Sequence, residues 1–299
     1  MTGTEHSHEA DRRAELLALA GELRPELHRY CSRLMGSVIE GEDIVQDTLA
    51  KAVVAFDGLT ETVSLRAWLF RIAHNRALDV LRGRAIRLAE PLEAADSVVD
   101  KATRDPLEEL MRQEAIETAV SRFTELQLVQ RSVIILKDVL DEPLTEIASL
   151  LDLSVDSVKA HLARGRARLR EINEKASRRA EVRSPSAAVT RYVTLFNNRD
   201  WDGLRAMLAD DVKLKQSSHP DRLGSADVGM FFSIYSKSDG VWLAPAWLEG
   251  REVLAVYERR LDTKPSYFMW LEWRDDEITF IRDYKYVRYV MADAEITLI

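Results

Sequence analysis

A cluster of basic side chains between residues 159 and 170 is the strongest chemical signal in the sequence. No acidic residue interrupts it. Basic groups on one helix neutralise DNA phosphates, and residues near the start of such a helix reach base edges in the major groove. The predicted DNA-binding residues here are Ser154, Ser157, Lys159, His161, Arg164, Arg166 and Arg168. The alternative interpretation is an ordinary amphipathic hairpin with a solvated basic face.

The residues before this cluster predict a helix-turn-helix. A short helix from Leu144 to Leu151 precedes a turn at Asp152, where glycine is often found, and aspartate tolerates the left-handed backbone that the turn needs. Ser154 is a favourable N-cap for the second helix. Ala148 is small where the two helices must cross. Such a motif places its second helix in the major groove.

A second basic face is predicted on a helix that covers residues 66–87. Trp68 lies one helical turn before the first basic residue of this face, Arg71. Basic and amide groups beside an aromatic ring suit melted or single-stranded DNA, where phosphates need neutralising and unstacked bases need a platform. Trp68 itself is interpreted as a core residue. The DNA-binding residues predicted on this face are Arg71, His74, Asn75, Arg76 and Arg82.

An acidic face is predicted on the helix around residues 42–48. Ile44, Val45 and Thr48 have the spacing of a buried stripe, which turns Glu42, Asp43, Gln46 and Asp47 outward. From composition alone, this face is a solvated surface.

Composition limits the class of protein. The 299 residues carry a net charge of −8, so nucleic-acid binding has to rest on local clusters. The one cysteine, Cys31, excludes an intrachain disulfide and a cysteine-based zinc site, and its apolar neighbours predict burial. No apolar run is long enough to cross a bilayer, and the polar start lacks a secretory signal. We expect a cytoplasmic protein with no cofactor, no metal and no membrane insertion.

The chain is predicted to be multidomain: two all-α domains and a C-terminal α+β domain. The helical domains cover 14–86 and 107–176, an acidic linker covers 87–106, and a second linker covers 177–186. The C-terminal domain covers 187–299. Its predicted helices are 187–198 and 201–209, and its predicted strands, in a curved antiparallel sheet, are 212–216, 253–260, 267–274 and 277–289.

The aromatic residues of the C-terminal domain predict either ordinary core packing, which is favoured, or the walls of a ligand pocket. The candidate pocket residues are Trp242, Trp247, Tyr267, Trp270 and Tyr284. Candidate bases for an enzyme are His219, Asp227, Asp239 and Asp283, but no acid and base stand at convincing spacing. The domain is therefore predicted not to be an enzyme.

The order of the motifs resembles the extracytoplasmic-function group of the sigma-70 family. The sequence Asp-Ile-Val-Gln-Asp-Thr at 43–48 precedes Leu-Arg-Ala-Trp-Leu-Phe-Arg-Ile-Ala-His-Asn-Arg at 65–76. An acidic linker, Gln-Arg-Ser-Val-Ile-Ile-Leu-Lys at 130–137 and the helix-turn-helix follow. The resemblance covers about residues 14–175.

The resemblance implies a role for each part. Residues 14–86 would recognise and melt the −10 promoter element, and 107–176 would read the −35 element and touch the β flap of RNA polymerase. Asp43, Gln46 and Asp47 would bind the β′ clamp helices of core polymerase. No catalytic residue is implied.

The opening of the C-terminal domain, from Val-Thr-Arg-Tyr at 189–192 to Ala-Asp-Asp-Val at 209–212, is similar to SnoaL-like members of the NTF2-like superfamily. That similarity implies an α+β cone that would modulate the sigma factor, through a small-molecule ligand or a protein partner. Two alternatives stay open. One is a stand-alone helix-turn-helix regulator with the cone as ligand sensor, and the other is an NTF2-like enzyme with a targeting module.

Overall fold

The computed structural model of the protein describes residues 2–56, 64–89, 118–175, 184–238 and 240–299. These residues form two compact units, one built from 2–89 and 118–175 and the other beginning at 184. The predicted linker 87–106 lies almost wholly outside the described residues, and so does most of 177–186. Within the described residues, no helix is both long and apolar enough to span a membrane.

The first half of unit 1 is a bundle of three helices: α1 (Thr2–Met35), α2 (Val38–Ala55) and α3 (Leu65–Ala89). A tight turn joins α1 to α2, with Gly36 at φ 77° and the Ser37 hydroxyl accepting a hydrogen bond from the Glu40 amide as N-cap. The apolar stripe of α1 is fully buried, and Cys31 lies in it as predicted. Burial raises the pKa of the Cys31 thiol, so the group is inert in the folded chain.

The second half of unit 1 carries the helix-turn-helix. A 3₁₀ turn (Ser121–Glu125) leads into α4 (Leu128–Ile134) and a π turn (Ile135–Val139), and then into α5 (Leu144–Leu151) and α6 (Val155–Lys175). Gly165 of α6 lies against α4, because a Cβ there would stand 2.6 Å from Ile134 Cδ1. Buried residues of both halves form a single hydrophobic core.

Unit 2 is an α+β domain with four short helices on its sheet. The helices are α7 (Ala187–Asn197), α8 (Trp201–Arg205), α9 (Ser225–Gly229) and α10 (Phe232–Ser236). The strands are β1 (Leu208–Gln216), β2 (Arg222–Leu223), β3 (Trp242–Leu248), β4 (Arg251–Tyr257), β5 (Tyr267–Arg274), β6 (Glu277–Asp283) and β7 (Thr297–Leu298). A 3₁₀ turn, Arg288–Ala292, lies between β6 and β7.

The strand order is β2-β1-β6-β5-β4-β3-β7, and the α+β class expected for this domain is confirmed. The expectation of a wholly antiparallel sheet is wrong, because β1 pairs with β6 in parallel. The two strands are far apart in sequence, and the helices and antiparallel strands between them return the chain to β1 in the same direction. The buried side chains of this unit's main core lie between the sheet and the helices, with Tyr192, Phe196 and Phe232 on the helix side.

Several predicted boundaries of unit 2 are also wrong. The strand predicted at 253–260 is β4, Arg251–Tyr257. The helix predicted at 201–209 ends at Arg205, and β1 begins at Leu208. The strand predicted at 277–289 ends at Asp283. The strand β3 was not predicted, because Pro245 within it removes a backbone donor and reads as a break.

Candidate nucleic-acid interface

The helix-turn-helix has the local geometry that its sequence predicts. Asp152 ends α5 in the left-handed region, at φ 55° and ψ 50°. The Leu153 amide donates to the Ala148 carbonyl at 2.9 Å, which closes the helix end. The Ser154 hydroxyl accepts from the Ser157 amide at 3.1 Å, so Ser154 is the N-cap of α6. Ile147, Ala148 and Val158 are buried between the helices.

The basic residues of α6 lie on its exposed face. Lys159, Arg164, Arg166 and Arg168 are all exposed, while Ser157 and His161 are half-buried. Arg166 makes a bidentate pair with Asp138, with Nε to Oδ2 at 2.9 Å and Nη2 to Oδ1 at 2.5 Å. Arg168 pairs with Glu171 at 2.9 Å. The face therefore carries a positive stripe in which Lys159, Arg166 and Arg168 each have an acidic partner.

The α3 face is less uniform than predicted. Arg71, Asn75 and Arg82 are exposed and Arg76 is half-buried. His74 faces the core instead, because its Nδ1 lies 2.7 Å from the hydroxyl of the fully buried Tyr30. Burial, and then the charge of Arg82, lower the pKa of His74 to about 4. His74 is therefore neutral at physiological pH.

The acidic face on α2 is smaller than predicted, because Glu42 is fully buried. Its Oε1 accepts from Arg24 at 3.2 Å and from Gln46 at 3.4 Å, so the buried carboxylate is paired across the bundle. Asp43, Gln46 and Asp47 are half-buried at the surface. Asp47 accepts from Arg76 of α3 at 2.7 Å, which joins the predicted polymerase-binding face to the predicted DNA-binding face.

Two residues that the sequence analysis missed connect the halves of unit 1. Arg66 of α3 lies 2.5 Å from Glu142 and 2.7 Å from Glu26. Arg131 is buried, and it donates to the Leu34 carbonyl at the end of α1 at 2.7 Å. Both partners are distant in sequence, so local spacing carries no signal of these contacts.

The five aromatic residues predicted to line a pocket do not share one face of the sheet. Trp242 stacks on Tyr257, with ring centroids 4.3 Å apart. The strand register puts Trp270 on that same face, and Tyr284 reaches it by stacking on Phe268 at 4.2 Å. Trp247 and Tyr267 alternate to the opposite face, which is the helix-covered face.

The helix-covered face of the sheet holds a buried polar cluster. Asp283, fully buried, accepts from Gln216 at 2.7 Å, from Tyr235 at 3.3 Å and from the Lys285 amide at 3.0 Å. Tyr235 and Tyr267 share a hydrogen bond of 3.0 Å. Burial raises the pKa of Asp283 to about 6, and the three hydrogen bonds only partly offset this rise.

The other candidate bases do not join this cluster. His219 stacks on Tyr286, with ring centroids 4.1 Å apart, and Asp227 pairs with Arg222 at 3.6 Å. Asp239 lies outside the described residues. Among the described residues there is no group of three or more histidine, cysteine or acidic side chains arranged to hold a metal ion.

Two family models match unit 1. Sigma-70 region 2 matches residues 19–86, and sigma-70 region 4 matches residues 120–169. They cover the helices α1–α3 and the helix-turn-helix in the expected order. The chain belongs to the sigma-70 family of RNA polymerase sigma factors, in its extracytoplasmic-function group.

Particular relatives agree with this family. The sigma factor SigG of Mycobacterium tuberculosis is 32% identical over 219 residues, which cover 65% of this chain and 59% of SigG. The chain thus spans about three-fifths of that relative. CnrH of Cupriavidus metallidurans is 34% identical over 134 residues, 43% of this chain and 70% of CnrH. The crystal structure of the Mycobacterium tuberculosis sigma factor SigJ is 21% identical with a TM-score of 0.34, covering 93% of this chain and 99% of that one.

Proposed function

We propose that the chain binds core RNA polymerase and directs promoter-specific initiation of transcription in the cytoplasm. The observation that carries the proposal is the α5–α6 helix-turn-helix, whose second helix presents an exposed basic stripe. In this proposal α6 reads the −35 element, and its arginines grip phosphates while its first turns reach base edges. Residues 107–176 also touch the β flap of polymerase.

The −10 element is assigned to α3. Arg71, Asn75 and Arg82 are exposed on this helix and Arg76 lies at its edge, which supports contact with a melted strand. His74 is a weaker candidate than predicted, because its Nδ1 is hydrogen-bonded to the Tyr30 hydroxyl. Asp43, Gln46 and Asp47 on α2 are assigned to the β′ clamp helices. A stand-alone regulator has no use for that acidic patch.

Unit 2 is proposed to modulate the sigma factor without being an enzyme. His219 and Asp227 are engaged with Tyr286 and Arg222, and Asp283 lies within a closed hydrogen-bonded cluster. This arrangement supports a domain that acts through a ligand or a protein partner. The five predicted pocket residues lie on two faces of the sheet, so a ligand would meet at most a subset of them.

The test is promoter-dependent transcription with purified core polymerase, comparing the full chain with a form that ends near Ser184. If the shorter form gives more transcription than the full chain, unit 2 is an inhibitory domain. Transcription by the full chain alone makes unit 2 an activator. Failure of both forms across a promoter library would reject the sigma-factor assignment and favour a stand-alone DNA-binding regulator.

A further inference from the structure

A fully buried tyrosine hydroxyl in unit 2 makes no hydrogen bond to any described residue. Tyr192 lies on α7, on the helix-covered face of the sheet, and its side chain is 0% exposed. Within the described residues, no donor or acceptor is placed to bond its Oη. Burying a hydroxyl without a partner costs free energy, and nearly all buried polar groups in proteins are paired. The Tyr192 hydroxyl is therefore available as a binding group for a small molecule.

The carboxylate of Asp283 faces the same interior. Burial raises the pKa of Tyr192, and the negative charge of Asp283 raises it further, so the two groups lie within electrostatic reach of each other. Asp283 accepts three hydrogen bonds, which come from Gln216, from Tyr235 and from the Lys285 amide. A carboxylate has about four acceptor positions, so Asp283 can accept one more hydrogen bond.

The other two tyrosine hydroxyls of this interior are already paired. The Tyr235 hydroxyl donates to Asp283 at 3.3 Å, so it is the acceptor in its 3.0 Å contact with Tyr267. The hydroxyl hydrogens of Tyr235 and Tyr267 are thus both engaged. Of these three tyrosines, Tyr192 alone keeps a free donor, and the nearby carboxylate of Asp283 keeps a free acceptor position.

The interior already contains a positive charge. Lys285 Nζ lies 5.1 Å from the centroid of the Tyr235 ring. Burial raises the pKa of Asp283, and the charge of Lys285 is among the interactions that partly offset this rise. A cationic ligand would meet this ammonium in a poorly solvated environment, where like charges repel strongly. The ligand that fits is therefore neutral.

The walls around these polar groups are aromatic. Between ring centroids, Phe196 lies 5.3 Å from Tyr235 and 6.4 Å from Tyr192. Phe232 also lies 6.4 Å from Tyr192, and Phe231 packs edge-on against Tyr235 at 5.1 Å. A site with apolar walls and a few polar groups favours a molecule that has an apolar body and a polar end.

We propose that this interior of unit 2 is a binding site for a small neutral molecule with an apolar body and one hydroxyl group. The ligand hydroxyl accepts from Tyr192 and donates to Asp283, since a hydroxyl is both an acceptor and a donor. Of the five pocket residues predicted from sequence, only Tyr267 belongs to this site. The inference rests on the proposed function, because it names the class of ligand through which unit 2 would modulate the sigma factor.

Helix α10 gives the ligand a route into the site. This helix carries Tyr235 and is only five residues long. Its N-cap residue, Phe231, makes no side-chain cap hydrogen bond, so the helix is held by its packing. Displacing one such turn costs less free energy than displacing a long helix, and local opening of this kind admits a small molecule.

The test uses the full-length chain and three probes of nearly equal size: benzyl alcohol, toluene and benzylamine. Benzyl alcohol has a neutral hydroxyl, toluene has no polar group, and benzylamine is a cation at neutral pH. Titrations followed by ligand-detected NMR give the Kd of each probe. We expect benzyl alcohol to bind roughly tenfold more tightly than toluene, because toluene leaves both Tyr192 and Asp283 without the bridging hydroxyl. Benzylamine should bind more weakly than benzyl alcohol, because Lys285 repels it.

Tyr192→Phe removes the hydroxyl and keeps the ring. We expect it to raise the Kd of benzyl alcohol roughly three- to tenfold, the effect of one lost hydrogen bond, and to leave the Kd of toluene unchanged. The matched control is Tyr257→Phe, which removes the hydroxyl of a tyrosine stacked on Trp242, on the opposite face of the sheet, and should bind all probes normally. A second variant, Asp283→Asn, replaces the acceptor carboxylate with an amide and should also weaken benzyl alcohol.

A thermal melt without any probe checks that the variants are folded. Tyr192→Phe is not expected to lower the melting temperature, because the hydroxyl that it removes has no partner among the described residues. Failure of the wild-type chain to bind benzyl alcohol would overturn the inference, and a water molecule would then be the partner of Tyr192. Tighter binding of toluene or benzylamine would also overturn it, and so would wild-type affinity of Tyr192→Phe for benzyl alcohol.

The binding measurements need neither polymerase nor promoter DNA, so they are separate from the test of the proposed function. A chain that binds benzyl alcohol through Tyr192 but supports no transcription keeps the binding site and rejects the sigma-factor assignment. A chain that supports transcription but binds no probe keeps the sigma-factor assignment and rejects the site.

Discussion

Asp47 of α2 holds Arg76 of α3 at 2.7 Å, and each residue belongs to a different predicted surface. Asp47 is assigned to core polymerase and Arg76 to the −10 strand. Because the two side chains are 43% and 33% exposed, a partner can compete for either of them. Capture of Asp47 by polymerase would release the Arg76 guanidinium for DNA, which couples the two binding events.

Gln46→Ala with Asp47→Ala is expected to abolish binding to core polymerase while the chain stays folded. The Asp47–Arg76 pair is solvated, so its loss costs at most about 1 kcal/mol of unfolding free energy. A pull-down with core polymerase measures the loss of binding, and a thermal melt measures whether the double variant stays folded. Glu40→Gln, which removes the α2 ion pair to Arg84, is the control and should bind normally. Wild-type binding by the double variant would contradict the assignment of this face.

The logarithm of the binding constant for −35 DNA falls linearly with the logarithm of the salt concentration. Arg164→Ala is expected to make that slope shallower by about one, because one phosphate contact is lost. Arg166→Ala should reduce it less, since Asp138 already neutralises that guanidinium with a bidentate pair. The measurement is fluorescence anisotropy of labelled promoter DNA with the polymerase complex over a range of salt concentrations. Equal slopes for the two variants would show that Asp138 releases Arg166 on DNA.

The helix-turn-helix was predictable from sequence because its determinants are local. A left-handed turn at Asp152 and an N-cap at Ser154 depend on residues within one or two turns of helix. The bounds of α5, Leu144–Leu151, agree with the prediction for the same reason. Burial of Glu42 was not predictable, because its partner Arg24 is on another helix.

The C-terminal pocket residues show a second limit of sequence analysis. Tyr267 and Trp270 are three positions apart in one strand, so they must point to opposite faces of the sheet. The aromatic composition favours core packing and leaves a shared pocket as the alternative, but the period of two puts the candidate pocket residues on both faces of the sheet. Asp283 was a candidate base, yet the cluster around it depends on Gln216 and Tyr235, which only the folded sheet brings together.

Gly165→Ala is expected to destabilise unit 1 by about 1–3 kcal/mol, because the new methyl group overpacks the α4–α6 contact. Its Cβ would lie 2.6 Å from Ile134 Cδ1 and 3.2 Å from Gln130 Cβ. Gly83→Ala on α3 is the matched control: nothing lies within 4 Å of its Cβ, and alanine should add about 0.5–1 kcal/mol of helix stability. Urea unfolding measures whether the free energy of unfolding falls in Gly165→Ala and rises in Gly83→Ala. Stabilisation by Gly165→Ala would contradict the close helix contact.

Asp283→Asn is expected to stabilise unit 2 above pH 6 and to have little effect near pH 4. The folded-state pKa is raised from 3.8 to about 6, so the fold favours the protonated carboxyl. The contribution of the protonated Asp283 carboxyl to the stability of unit 2 is therefore fully present below the unfolded-state pKa. It is lost as the pH rises through the folded-state pKa. A shift from 3.8 to about 6 corresponds to roughly 3 kcal/mol above that pH.

Thermal unfolding of unit 2 at pH 5 and pH 8, followed by tryptophan fluorescence, measures this difference. Asp211→Asn is the control of opposite sign, because the hydrogen bond from Arg274 lowers the pKa of that exposed carboxyl. Its substitution should slightly weaken the fold at pH 8, and this effect disappears only once the pH lies below the lowered folded-state pKa. An Asp283→Asn variant that is as pH-dependent as wild type would show that Asp283 stays ionised, with its charge balanced by Lys285 next to the cluster.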